Sequence, residues 1–112
     1  MNWELDHVFF ATPDLAGVER ALSDVGLRFS RHVVHEGQGT ANACSVFQNA
    51  FFEVLGIHDV DELKSELVHP LALYERIHWA DTGACPLGSL PIRSQQRVQS
   101  RNEYQGNRNC SA

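Results

Sequence analysis

The sequence predicts an α+β domain that opens with the order β-α-β-β-β, passes through short helices and ends in a polar tail. Three observations predict it. The run Leu5–Phe10 is apolar on both of its alternating faces, as a central strand is. Thr12-Pro13-Asp14 reads as a helix start, and Leu15, Val18, Leu22 and Val25 follow as one apolar stripe at helical spacing. Residues 37–57, GQGTANACSVFQNAFFEVLGI, form two apolar runs about a short turn signal, which is the pattern of a β-hairpin.

Each element follows from local chemistry. The first strand is expected over residues 4–11, with Leu5, His7, Phe9 and Ala11 on one face and Asp6, Val8 and Phe10 on the other. The helix is expected to take Thr12 as its cap, Pro13 at its first position and Asp14 near the positive end of its dipole, and to stop at Gly26. A less regular second strand is expected over residues 27–34. His35-Glu36-Gly37-Gln38-Gly39 is a turn, because its glycines accept positive φ at little steric cost. The third and fourth strands are expected over residues 41–48 and 51–57, joined at Asn49-Ala50. Asp59 with Glu62 has the spacing of a capping box, and Val60, Leu63 and Leu67 continue it as a short amphipathic helix. His69-Pro70 breaks that helix, and Pro70 opens another through Leu71, Tyr74 and Ile77. After the turn at Thr82-Gly83, residues 84–93 read as a fifth strand, which Pro86 and Pro91 confine to an edge or make irregular.

One residue is out of keeping with its strand. Glu53 lies within Phe51-Phe52-Glu53-Val54-Leu55, where an ionised carboxylate is costly to bury without a partner. The obvious partner is His7, in the apolar first strand. The pair reads either as a buried hydrogen-bonded couple or as part of a site, and a Glu53 turned to solvent is the third possibility.

Composition narrows the function. A chain of 112 residues with 43% hydrophobic content has room for one modest core. A net charge of −5 offers no basic surface to nucleic acid or to an acidic membrane, so neither is expected as a partner. No apolar run approaches the length of a membrane helix, and MNWELDH lacks the layout of a signal peptide, so a cytoplasmic location is expected. Three cysteines without CxxC spacing indicate neither a disulfide framework nor a zinc knuckle. Residues 1–93 hold 13 acidic and 6 basic side chains, whereas residues 94–112 hold three arginines and one glutamate. Composition shifts at the same point. The expected division is therefore a domain over 1–93 and a disordered polar tail over 94–112.

LDHVFFATPDL at the start, then GLRF, HEGQGTANACSVFQNAFFEVLGI and TGACPLG, resemble the glyoxalase-like branch of the vicinal oxygen chelate superfamily over about residues 4–88. The resemblance implies a βαβββ module, the same order that the residues give independently. It also implies a curved mixed sheet and a small-molecule cleft that relatives complete by pairing two modules, in one chain or across a dimer. This chain holds one complete module and the start of a second. In metal-using relatives each module gives one ligand from its first strand and one from its fourth, positions that fall here on His7 and Glu53. The implied cofactor is a divalent metal (Zn, Mn, Fe, Co or Ni), ligands of this type suiting all five. Two ligands do not make a catalytic site, and a homodimer with facing modules supplies four.

The implied activity is metal-dependent isomerase, lyase or dioxygenase-type chemistry on a small oxygen-bearing molecule. A metal-free binding or sequestering protein and an inactive partial domain remain as alternatives. Phe9, Phe51 and Leu55 line the cleft if they share a face with His7 and Glu53. Thr40 and Asn42 either hydrogen-bond a ligand at its mouth or satisfy their own turn. No general base is assigned. His32 and His35, three apart in a strand, face opposite sides and do not chelate together. His58, Asp59 and Asp61 are explained by helix capping, His69 and His78 by exposure on the helical segment, and Cys44 by a place in the core. There is no GxSxG elbow, phosphate-binding loop or dinucleotide fingerprint.

Overall fold

A computed structural model describes residues 2–93. The expected tail over 94–112 lies outside the described residues. Five strands form one curved mixed sheet: β1 (Trp3–Ala11), β2 (Arg31–His35), β3 (Thr40–Val46), β4 (Phe51–Ile57) and β5 (Leu87–Arg93), in the spatial order β2-β3-β4-β1-β5. β1 runs parallel to β4, and every other pairing is antiparallel. Helix α1 (Leu15–Asp24) connects β1 to β2. Between β4 and β5 lie α2 (Val60–Leu63), a 3₁₀ turn at His69–Leu71, α3 (Leu73–Ile77) and α4 (Trp79–Thr82). No helix among the described residues is long and apolar enough to cross a membrane.

Register decides what each face carries. Phe9 pairs with Glu53, Glu53 with Cys44, and Cys44 with Arg31. His7, Phe9, Phe51, Glu53, Leu55, Asn42, Val33 and His35 therefore share one face. α1 packs on the other, where Gly56 leaves room for Leu15; a Cβ at Gly56 would fall 2.7 Å from the Leu15 Cβ. The shared face is divided along the strands. Over the C-terminal halves of β1 and β4, the short helices close a core of Ala11, Leu55, Leu63, Val68, Leu73 and Ile77. Over the N-terminal halves, His7, Phe51 and Glu53 open into a cavity.

Several local expectations need correction. The cap of α1 is Asp14, not Thr12: an Asp14 carboxylate oxygen accepts from the Gly17 N–H at 3.1 Å. The Thr12 hydroxyl instead accepts from the Asp14 N–H, fixing the entry turn. Val25 is 78% exposed, so the apolar stripe ends at Leu22. β2 starts only at Arg31, because Leu27 donates back to Leu22 and still closes the helix. The Asp59 carboxylate caps α2 as expected, accepting from Asp61 and Glu62. Glu62 does not return the bond. Its Oε1 accepts from the Gly37 N–H at 2.6 Å, and the Asp59 N–H goes to Gly39. The box thus becomes a tie between α2 and the β2–β3 turn. α2 ends at Leu63, which leaves Leu67 89% exposed. The helix expected from Pro70 is split at Ala72, whose φ of 55° is left-handed. β5 begins at Leu87, after Pro86, and its register against β1 slips between Leu5 and His7, beside Pro91.

Candidate functional site

The cavity has a volume of about 770 Å³. Its floor is the sheet face just described, and its walls include Leu71, Leu73 and Arg76 from the helical segment and Gly88 and Leu90 from β5. His7 and Glu53 meet on this floor because β1 and β4 are neighbours and run parallel. His7 Nε2 lies 3.6 Å from Glu53 Oε1, and both side chains are close to nine-tenths buried. That distance is too long for a hydrogen bond. Two ligands each about 2.1 Å from a shared tetrahedral ion sit about 3.4 Å apart, so the separation suits a common metal.

The His7 ring is held on two sides. It stacks on Phe51, its cross-strand neighbour, with ring centroids 4.3 Å apart and planes 16° from parallel. Its Nδ1 lies 2.8 Å from Asp6 Oδ2. With the ring neutral and Nδ1 donating to that carboxylate, Nε2 presents a lone pair towards Glu53 Oε1. Two acceptors then face one another, an arrangement that a proton or a cation between them resolves.

Glu53 is held by its other oxygen. Asn42 Nδ2 donates to Oε2 at 2.5 Å, and His35 Nε2 lies 3.5 Å from the same atom. Asn42 is used fully: its Oδ1 accepts from the Val33 N–H at 3.0 Å, and its Nδ2 also lies 3.0 Å from His35 Nε2. Burial pushes the Glu53 carboxyl up. Its neighbours His35 and Asn42 at one oxygen, with His7 beside the other, outweigh that and hold it below the ordinary carboxylate range.

Of the other sequence-predicted site residues, Phe9, Asn42, Phe51 and Leu55 line the cavity. Thr40 does not. It is fully buried, and its hydroxyl donates to Gln38 Oε1 at 3.2 Å, the use internal to the turn. His32 and His35 do face opposite sides: His32 Nε2 bonds Glu19 of α1 at 2.5 Å, and His35 reaches the cavity. Sequence reasoning missed His35 as a site residue, along with Asp6, Arg31 and Arg76. The signal for His35 was its parity with Val33 and Arg31, readable once β2 is paired with β3. Arg76 lies over the Phe9 ring at 6.0 Å and donates to the Cys85 and Leu87 carbonyls, tying α3 to the approach to β5.

His7, Glu53 and their neighbours have donor atoms that fit a divalent ion of the zinc-to-manganese class. Among the described residues no three His, Cys, Asp or Glu side chains are arranged to hold one ion together. An ion on His7 and Glu53 therefore needs ligands from water, substrate or a second chain.

A comparison with curated proteins finds no match. A protein-family model described as a glyoxalase-like domain matches residues 5–98, well over half of the chain. With the five-stranded mixed sheet and the βαβββ order, this makes the chain a member of the glyoxalase-like domain family, of the vicinal oxygen chelate type that its sequence resembles.

Proposed function

We propose that this chain binds a divalent metal through His7 and Glu53 and takes a small oxygen-bearing molecule into the adjoining cavity. The observation that carries the reading is the 3.6 Å separation of His7 Nε2 and Glu53 Oε1, both buried on the cavity floor and bridged by no hydrogen bond. A metal there would act as a Lewis acid, drawing developing negative charge onto a bound oxygen in isomerase, lyase or dioxygenase-type chemistry.

The chain's own residues have separate tasks. Asn42 and His35 hold Glu53 ionised and fix which oxygen faces His7. Phe51 fixes the plane of the His7 ring. Phe9, Leu55 and Leu73 give the cavity an apolar wall that excludes water and accepts the ligand's carbon skeleton. A homodimer with facing cavities would supply a second His7–Glu53 pair. Elemental analysis of the folded protein tests the reading. About one metal per chain is expected where water or substrate completes the site, or one per two chains where a second His7–Glu53 pair does. In either case it is lost in His7→Ala. Wild-type protein that stays metal-free after incubation with Zn, Mn, Fe, Co and Ni salts would contradict it.

A second reading has its own support. Asn42 already donates to Glu53 Oε2 without a metal, and His35 lies beside the same oxygen. On this reading the cavity is a metal-free binding or sequestering site, and ligand binding would persist in excess chelator.

A further inference from the structure

We infer that Asp6 is a positioning residue for His7, and that the bulge beside Pro91 is what aims it. The inference rests on the metal-site reading above and goes beyond it, to a residue on no strand face that a regular ladder would give to the site. Adjacent residues of a regular strand point to opposite faces. Asp6 would then share the α1 side with Val8 and Phe10, away from His7.

The ladder is not regular there. Leu5 pairs with Pro91 and His7 with Leu90, so two steps on β1 match one step on β5, and Asp6 is the extra residue. A proline has no N–H to give to a ladder, and the register slips next to the one that β5 carries. A bulge re-aims a side chain. Here it brings the Asp6 carboxylate to 2.8 Å from His7 Nδ1, with the Asp6 side chain 17% exposed. The consequence is chemical. A carboxylate accepts only, so neutral His7 carries its proton on Nδ1 and leaves the Nε2 lone pair towards Glu53 Oε1, 3.6 Å away. Partners of this kind on a ligating histidine typically govern metal affinity by about 10- to 100-fold.

The test uses the full 112-residue chain. Ring ¹⁵N NMR of the metal-free protein reports the His7 tautomer, and calorimetry with Zn²⁺ alone reports affinity. Wild type is expected to hold the Nδ1–H tautomer. Asp6→Ala is expected to lose it and to bind Zn²⁺ about 10- to 100-fold more weakly. Asp6→Asn, whose amide oxygen still accepts, keeps the tautomer and most of the affinity. Pro91→Val, which restores an N–H to β5, moves the tautomer towards that of Asp6→Ala.

An Nε2–H tautomer in wild type overturns the inference, as does an Asp6→Ala protein with tautomer and affinity unchanged. An unchanged tautomer in Pro91→Val overturns the role given to the proline. Should Asp6→Ala not fold, the wild-type tautomer and Asp6→Asn decide. A wild-type chain that takes up no Zn²⁺ counts against the metal site, while the tautomer still judges the positioning role.

Discussion

At the scale of residues, Glu53 organises the site. Its carboxylate meets Asn42, His35 and His7, and its pKa is lowered despite burial. A carboxyl with a depressed folded pKa adds stability that is fully present above its unfolded pKa and is lost as pH falls through the folded value. The metal-free wild type should therefore lose stability against Glu53→Gln as pH drops below the ordinary carboxylate range, and denaturant melts across that window check it. Asn42→Ala removes one bond to Glu53 and the acceptor for the Val33 N–H, and should cost about 1–3 kcal/mol. Asn42→Asp should cost more, because it sets a second carboxylate against the first and pushes Glu53 up instead of down. Chemical denaturation of both variants at neutral pH gives the order. The pairing of His7 with Glu53 was legible in the sequence, because an acid inside an apolar strand demands a partner. His35 and Asp6 were not. His35 depends on which strand β2 joins, and Asp6 on a bulge set by a residue 85 positions away in the chain.

At the scale of elements, local chemistry placed the strands and helices where it acts alone. β4 spans residues 51–57 as expected, since an apolar run bounded by Asn49-Ala50 and Asp59 leaves little choice. Boundaries moved where a side chain had a non-local use. Glu62 fits the capping-box spacing, yet its carboxylate goes to Gly37, because the β2–β3 turn lies beside α2. That junction makes a sharp prediction about two glycines of similar φ. At Gly37 (φ 80°) an added Cβ would meet nothing within 4 Å, so Gly37→Ala incurs backbone strain of about 1–2 kcal/mol. At Gly39 (φ 81°) an added Cβ would collide with the Asp59 carbonyl oxygen and fall 2.5 Å from the Leu63 nitrogen. The Gly39 carbonyl itself accepts from His58 and Asp59. Gly39→Ala should exceed Gly37→Ala by about 2 kcal/mol or more, through strain and overpacking together. Equal melting temperatures for the two variants would contradict that account of the junction.

At the scale of the whole molecule, topology makes the site. The order of elements along the chain follows from local signals, but the spatial order β2-β3-β4-β1-β5 does not. Only the parallel pairing of β1 with β4 brings His7 within reach of Glu53, and only the helices after β4 close one end of that face while the other stays open. The cavity rim carries Leu71, Leu87 and Leu90, each about half exposed, which is consistent with a ligand of partly apolar character or with a facing second copy. The claim that joins these scales is that His7 and Glu53 share a metal. Native mass spectrometry after Zn²⁺ addition tests it most directly, because it counts ions and chains together. The account predicts a bound ion in wild type, one per chain or one per facing pair of chains, and none in His7→Ala or Glu53→Gln, both still folded. A wild type without bound ion, or variants that retain it, would contradict the claim.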